Sequence, residues 1–133
     1  MVTRARGTFD VTVKPLPADA GPGVESLGRL SIEKKFSGDI EGTSKGQMLT
    51  GGTAIKNSAA YVAIEQVSGS LKGRKGTFIL QHTGVMNRGE GSLVITVVPD
   101  SGTGSLEGLT GTMVIKVDGG NHSYEMEYSL GNT

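Results

Sequence analysis

Apolar and polar residues alternate along most of this chain with a period of two. In residues 8–14, Phe9, Val11 and Val13 alternate with threonine, aspartate and lysine. In residues 122–130, histidine, tyrosine, methionine and leucine alternate with serine and glutamate. Successive side chains of a strand point to opposite faces of a sheet, so this period predicts strands that bury one face.

The alternation recurs in about eight segments, separated by stretches rich in glycine and proline. Residues 50–57 are predicted to be a loop with at most a turn or two of helix. Short strands at this spacing are typical of antiparallel barrels and sandwiches, and closure removes exposed sheet edges. We therefore expect an all-β fold, a closed antiparallel barrel of about eight strands in which residues 1–133 form one domain. The predicted strands are residues 8–14, 27–36, 38–49, 58–67, 76–83, 92–98, 110–117 and 122–130.

A glycine-framed motif occurs twice in full and once in a shorter form. Residues 68–80, SGSLKGRKGTFIL, and residues 103–115, TGSLEGLTGTMVI, are identical at six of thirteen positions, and residues 37–42 read SGDIEG. Glycine tolerates a positive φ and lets a strand bend. The motif therefore predicts where the chain turns or bends, and it predicts no chemistry.

Residues 15–23, PLPADAGPG, contain three prolines and two glycines, which stop a strand or a helix. We interpret them as a surface loop. An inert loop is the simpler interpretation, and a lid is the functional alternative.

Composition and charge argue against several classes of function. Lys plus Arg and Asp plus Glu number 13 each, and the chain has no Trp, three Phe and three Tyr. It therefore lacks the positive field and the stacking surfaces that nucleic acid requires, and we expect no nucleic-acid partner. The absence of Cys fits a cytoplasmic protein. No apolar run is long enough for a secretion signal or a membrane span, so we expect no membrane partner.

No motif predicts a metal or a cofactor. His82 and His122 lie 40 positions apart and outside any metal-ligand spacing, and no glycine motif leads from a strand into a helix. We therefore predict neither a metal site nor a cofactor.

Glu65 lies in an otherwise apolar strand and is the first candidate for chemistry. If it faced the barrel interior, desolvation would raise its pKa and make it a general acid or base. An equally supported alternative places Tyr61 and Glu65 outside, with Val62 and Ile64 in the core.

Gln81 and His82 are consecutive, so only one of them can point inward. His82 shares a face with Phe78 and Leu80, which favours His82 as the inward residue. We predict Glu65 and His82 as catalytic residues, with His82 relaying a proton. A histidine bonded to a backbone carbonyl is the structural alternative.

Three further residues complete the predicted ligand-binding set with Gln81. His122 shares its face with Tyr124, and we expect both near an opening of the barrel, although a histidine beside a turn is usually solvated. Arg88, in the glycine-rich connection 84–91, could hold an anionic group.

Four lysines and residues 92–98 also allow predictions. Lys34, Lys35, Lys72 and Lys75 are predicted to be solvated. Residues 92–98 are apolar on both faces, as expected for a doubly covered strand or a subunit interface. We therefore predict a homo-oligomer, with a symmetric dimer as its simplest form.

The segments FSGDIEGTSKGQML, YVAIEQVSGSLKGRKGTFILQHTG, VVPDSGTGSLEGLTG and HSYEMEYSL resemble an uncharacterised bacterial domain-of-unknown-function family. The barrels of that family are grouped with allene oxide cyclase. The resemblance covers nearly the whole chain, and residues 61–84 are its most specific part. It implies an eight-stranded antiparallel barrel, lipocalin-like in shape, with a central cavity. It implies no activity, and no catalytic pattern of allene oxide cyclases matches.

The sequence is compatible with three functions. The first is a small-molecule-binding barrel that acts as a cofactor-independent cyclase, isomerase or lyase on an apolar substrate. The second is a carrier of an apolar ligand without turnover. The third is an oligomeric structural or interaction module, which a barrel filled by its own side chains would favour.

Overall fold

The computed structural model of the chain describes residues 2–17 and 26–131. Eight antiparallel strands pair in chain order, and β8 pairs with β1 to close the barrel. A short 3₁₀ helix, Gly104–Leu106, lies between β6 and β7. The predicted all-β closed barrel is confirmed. The strands are β1 (Thr3–Leu16), β2 (Leu27–Gly38), β3 (Ile40–Gly52), β4 (Ala59–Leu71), β5 (Arg74–Asn87), β6 (Glu90–Val97), β7 (Leu109–Asp118) and β8 (Asn121–Leu130).

Several strands are longer than their alternation predicts. Residues 68–71 of the repeated motif belong to β4, and the turn is confined to Lys72 and Gly73, because Leu71 still pairs with Arg74. Much of the predicted connection 84–91 is likewise strand. In these hairpins the ladder continues to the turn, so polar residues and glycines at strand ends remain paired. The predicted loop 15–23 begins within β1, and residues 18–23 lie outside the described residues.

One end of the barrel, which we call the closed end, is filled by large apolar side chains. The 3₁₀ helix packs Leu106 beneath this end, and its connection lies so close to β5 that a Cβ on Gly76 would collide with the Thr103 carbonyl oxygen. Burying each large side chain contributes about 1.5–3 kcal/mol. This end is therefore the hydrophobic core. Its fully buried members include Ile40, Val67, Leu71, Phe78, Leu106 and Leu109.

The opposite end, which we call the open end, is where β1, β3, β5 and β7 finish. Several of its interior-facing positions carry small side chains, among them Gly46, Ala63 and Gly84. Apolar residues at its rim remain exposed, including Met86 and Leu93. The two ends therefore differ in kind, because side chains pack the closed end and leave space at the open end.

The seam between β6 and β7 is the least paired part of the wall. Only Ile95 with Met113 and Thr96 with Thr112 are ladder partners in the described residues, whereas every other neighbouring pair of strands shares at least seven partners. Toward the open end, residues 90–94 and 114–118 have no ladder partner across this seam among the described residues.

No helix within the described residues is long and apolar enough to cross a lipid bilayer.

The glycine-framed motif marks turns, as two of its positive-φ glycines show. Gly73 has φ +84° in the β4–β5 turn, and Gly108 has φ +83° before β7. In the first copy the motif forms a hairpin, whereas in the second copy the equivalent residues form the 3₁₀ helix. The predicted structural role of these glycines is confirmed.

We predict that Gly73→Val lowers the free energy of unfolding by about 1–3 kcal/mol, because a β-branched residue is strained at positive φ. A Cβ at Gly73 would meet no atom within 4 Å, so the cost is conformational and not steric. Gly91→Val is the matched control, since Gly91 also has open space but no positive φ. Urea denaturation that finds the two variants equally stable would contradict the prediction.

Candidate functional site

Glu65 is buried inside the barrel, with none of its surface exposed. It lies at an inward position of β4, opposite Gly46 of β3 and Leu80 of β5. A Cβ at Gly46 would come within 2.6 Å of the Glu65 Cα, so glycine is what fits beside this residue. Of the two orientations that the sequence left open, the structure has Glu65 inside and Val62 and Ile64 outside.

Three side chains from three other strands bind the Glu65 carboxylate. The Lys34 ammonium of β2 donates to Oε1 at 3.0 Å, and Nε2 of His82 in β5 lies 3.0 Å from the same oxygen. The Ser44 hydroxyl of β3 donates to Oε2 at 2.9 Å. All four residues are buried. We call Lys34, Ser44, Glu65 and His82 the interior cluster.

The interior cluster keeps Glu65 ionised. Burial by itself would raise the pKa of Glu65, but the hydrogen bond from His82 and the charge of Lys34 outweigh burial, and the pKa lies below its ordinary value. The expected raised pKa, and a protonated Glu65 as acid, are therefore wrong. The sequence argument considered burial alone and had no cation beside the carboxylate.

Lys34 is buried with 7% of its surface exposed, so its predicted solvation is wrong. Its β2 position alternates in phase with Ile32 and Phe36, and the ladder points all three inward. Its ammonium lies 4.9 Å from the ring centroid of Phe9 and 5.9 Å from that of Phe36. The two rings contribute cation–π attraction that offsets part of the desolvation of the charge.

The other predicted site residues separate into two groups. Gln81 alternates with His82 and is exposed on the outer wall, and Arg88 is exposed in the β5–β6 turn, where its backbone N–H donates to Ser58. Gln81 is a correction to the predicted ligand-binding set, because its side chain does not face the interior, whereas the anion-holding role of Arg88 stays a prediction. Of the consecutive pair in β5, His82 is the inward residue.

His122 and Tyr124 both face inward but lie in different parts of the barrel. The His122 ring is half-buried and lies 5.2 Å from the ring of Phe9, on the side of the open end. Tyr124 is buried, donates to the Ser37 carbonyl at 3.0 Å and accepts from the Ile40 N–H at 2.8 Å. Tyr124 therefore ties the β2–β3 turn at the closed end, and its expected place near an opening is wrong.

A pocket of about 430 Å³ lies at the open end of β3 to β6. Tyr61 forms part of its wall and lies across Gly84, where a Cβ would be 2.4 Å from the tyrosine ring. Burial, and to a smaller extent the charge of Glu65, raise the pKa of Tyr61. We call this space the mouth pocket. Its lining is mostly apolar: Thr50, Ala59, Ala60, Tyr61, Gly84, Val85, Met86, Gly91, Ser92 and Leu93.

The interior cluster has the elements of proton transfer rather than of metal binding. The carboxylate already neutralises a lysine cation, and no group of three or more potential metal ligands occurs in residues 2–17 and 26–131. Because Nε2 of His82 bonds the carboxylate, that nitrogen carries a proton and Nδ1 is the nitrogen left for a ligand. The carboxylate thus fixes both the tautomer and the orientation of the ring.

The sequence analysis missed Lys34 and Ser44 as members of the site. Lys34 had a usable signal, since it alternates with Ile32 and Phe36 on an apolar face. Ser44 had none, because its segment is polar throughout.

We predict that Lys34→Met destabilises the protein by about 3–5 kcal/mol, since it leaves a buried carboxylate without its cation. Adding Glu65→Gln should recover much of that loss, because the double variant buries no net charge. Lys35→Met, at the adjacent exposed position, should change stability by less than about 0.5 kcal/mol. Urea unfolding of the wild type, both single variants, the double variant and Lys35→Met tests this, and additive single-variant effects would refute the coupling.

The lowered pKa of Glu65 predicts a specific pH dependence. The ion pair stabilises the fold above the ordinary glutamate pKa of about 4.3, and this contribution disappears as pH falls through the lower pKa of the folded state. The stability difference between the wild type and Glu65→Gln should therefore be constant near neutral pH and shrink below about pH 4. A constant difference down to pH 3 in urea titrations would be inconsistent with an ionised Glu65.

Two comparisons find relatives of this chain. A family described as "Protein of unknown function (DUF3224)" matches residues 5–128. A solved structure of a protein of unknown function from that family, from Shewanella oneidensis MR-1, is 47% identical in sequence. The match covers 99% of this chain and 100% of the other, with a TM-score of 0.93. No curated protein matches the sequence.

Proposed function

Because the chain belongs to the DUF3224 family, which has no assigned function, we propose a function from the site: the barrel binds an apolar small molecule that carries a neutral oxygen. The ligand's apolar body occupies the mouth pocket, and its oxygen points toward the interior cluster. One observation carries the proposal. A fully buried carboxylate holds an ammonium and an imidazole midway along the barrel, and His82 lies two positions from Gly84, which lines the apolar pocket at the open end.

The free-energy cost of burying the charged groups of the interior cluster supports a functional role for the cluster. A buried ion pair is often no more stable than well-packed apolar side chains of similar volume, so stability alone does not account for it. Buried ionisable groups beside a concave apolar surface are the common arrangement of a small-molecule site.

Charge balance favours a neutral ligand over an anion. The Lys34 charge is already neutralised by Glu65, so a bound carboxylate would leave an unpaired negative charge in the barrel. A carbonyl or epoxide oxygen adds no charge and accepts a hydrogen bond. Lys34 has three N–H donors, one of which Glu65 accepts. The remaining two can serve the oxygen of a ligand.

The same groups can move a proton without a cofactor. Lys34 stabilises negative charge that develops on the oxygen of the ligand, and Nδ1 of His82 takes or returns a proton. Glu65 stays ionised and stabilises the imidazolium that forms. These roles fit a cyclase, isomerase or lyase acting on an apolar carbonyl or epoxide compound.

A carrier without turnover is the second candidate. The mostly apolar lining of the mouth pocket favours it, since retention of an apolar ligand needs few polar contacts. Both candidates share the binding site and differ in whether His82 acts on the ligand.

We predict that apolar ketones, aldehydes and epoxides raise the melting temperature, whereas hydrocarbons of the same length stabilise the protein less. At 100 times Kd the added stability is about 2.7 kcal/mol. Lys34→Met should remove the preference for the oxygen-bearing compounds, and Lys35→Met is the control. A screen in which none of these compounds stabilises the wild type would refute the proposal.

Product analysis separates the two candidates. Each stabilising compound is incubated with the wild type, with His82→Ala and with Glu65→Gln, and rearranged or cleaved products are sought by chromatography and mass spectrometry. Turnover that both variants lose while binding is retained identifies an enzyme. Binding without product in any of the proteins identifies a carrier.

A further inference from the structure

The outer wall of β3 to β6 has no charged side chain over most of its exposed area. Apart from Asn87 and Glu90 at the rim, the outward positions toward the open end carry only aliphatic, threonine, serine, glutamine and glycine residues. We call these twelve positions the uncharged wall. They are Gln47, Leu49, Gly51, Ala60, Val62, Ile64, Gln66, Gln81, Thr83, Val85, Ser92 and Val94.

The other side of the barrel is strongly charged by comparison. Outward positions of β1 include Arg4, Arg6, Asp10 and Lys14, and those of β8 include two glutamates. Charged residues make up 20% of the chain, so their absence from twelve adjacent outward positions is a real asymmetry.

The aliphatic residues of the uncharged wall form one continuous row. Leu49 lies opposite Val62, Val62 opposite Thr83, and Thr83 opposite Val94, so the row crosses four strands. Leu49, Val62 and Val94 are each at least half exposed. Ladder partners on one face lie side by side, so the row is a continuous exposed surface that no other described residue covers.

We infer that the uncharged wall is the interface of a symmetric homodimer. Two sheets pack face to face when both present apolar side chains, and a second copy always supplies a matching face. The chain has zero net charge, so two copies do not repel each other. A nucleic acid or an anionic membrane would need a cationic surface, which this wall lacks.

The size of the wall fits the centre of such an interface. Strands lie about 4.8 Å apart and outward positions repeat about every 6.7 Å, so twelve positions cover about 400 Å² of sheet. This is about half of the roughly 800 Å² per partner of a standard interface. The charged residues that border the wall, Arg29, Lys45 and Glu90, fit a polar rim around an apolar centre.

Arg29 gives an independent indication of a missing partner. It borders a groove of about 380 Å³ with Gln47, Leu49, Val62 and Ile64. Its Nε is buried and has no hydrogen-bond acceptor among the described residues. A buried donor without an acceptor is unfavourable, and an oxygen from the second copy would satisfy it.

Light scattering between about 1 μM and 1 mM tests the inference. The wild type should have twice the mass of the 13.7 kDa chain. Val62→Lys and Ile64→Lys should shift it to the monomer, because each would bury two like charges at the interface. Thr12→Lys, on the opposite wall, is the matched control and should stay dimeric. A monomeric wild type at 1 mM, or lysine variants as dimeric as the control, would overturn the inference.

Cross-linking locates the interface independently of the lysine variants. The chain has no cysteine, so a single cysteine reports its own surroundings. Ile64→Cys should give a covalent dimer with a short bismaleimide, whereas Thr12→Cys should not. Cross-linking at Thr12→Cys alone would place the contact on the charged wall and reject the uncharged one.

Discussion

The buried carboxylate of Glu65 is the interaction on which the arrangement of this barrel depends. Its partners come from β2, β3 and β5, so one side chain links four consecutive strands through the interior. Each of these contacts is an ion pair or a hydrogen bond in a medium of low dielectric, where a buried polar group without a partner is costly. The register of these four strands must therefore satisfy one small group of atoms as well as the hydrophobic pattern.

The two ends of the barrel differ in how side chains fill them. At the closed end, Leu71, Leu106 and Phe78 fill the space, and Tyr124 satisfies the β2–β3 turn. At the open end, glycine and alanine leave room beside the charged groups, and the wall between β6 and β7 is weakly paired. The packing that stabilises the fold is concentrated at one end, and the space and polar groups available for chemistry lie toward the other. This division is expected of a rigid scaffold that carries a site.

The sequence predicted the fold well because strand alternation and closure are decided by local pattern. The eight strands and the turn glycine Gly73 follow from periodicity and from the positive φ that a hairpin requires. Strand ends were too short, since pairing extends ladders through polar residues such as Ser68. Glu65 and His82 could be selected as polar interruptions of apolar strands.

The partners of Glu65 and His82 could not be identified from the alternation pattern of single strands. The ion pair joins Lys34 to a residue 31 positions away, and no single-strand pattern reports a contact across a barrel. For the same reason the direction of the Glu65 pKa was wrong, because it depends on a neighbour that alternation cannot supply. Gln81 was misplaced by an argument from residue type, whereas side-chain direction depends on the register.

Strand β4 shows why its orientation was undetermined from sequence. It faces Glu65 inward and Val62 and Ile64 outward, which reverses the usual distribution of charge and hydrophobicity. A strand with this reversal is stable when its partners neutralise the inward charge and another surface covers the outward side chains. The interior cluster provides the first condition within the chain. The second condition is the contact proposed for the uncharged wall, so the same three residues that obscured the orientation in the sequence connect the proposed site to the proposed interface.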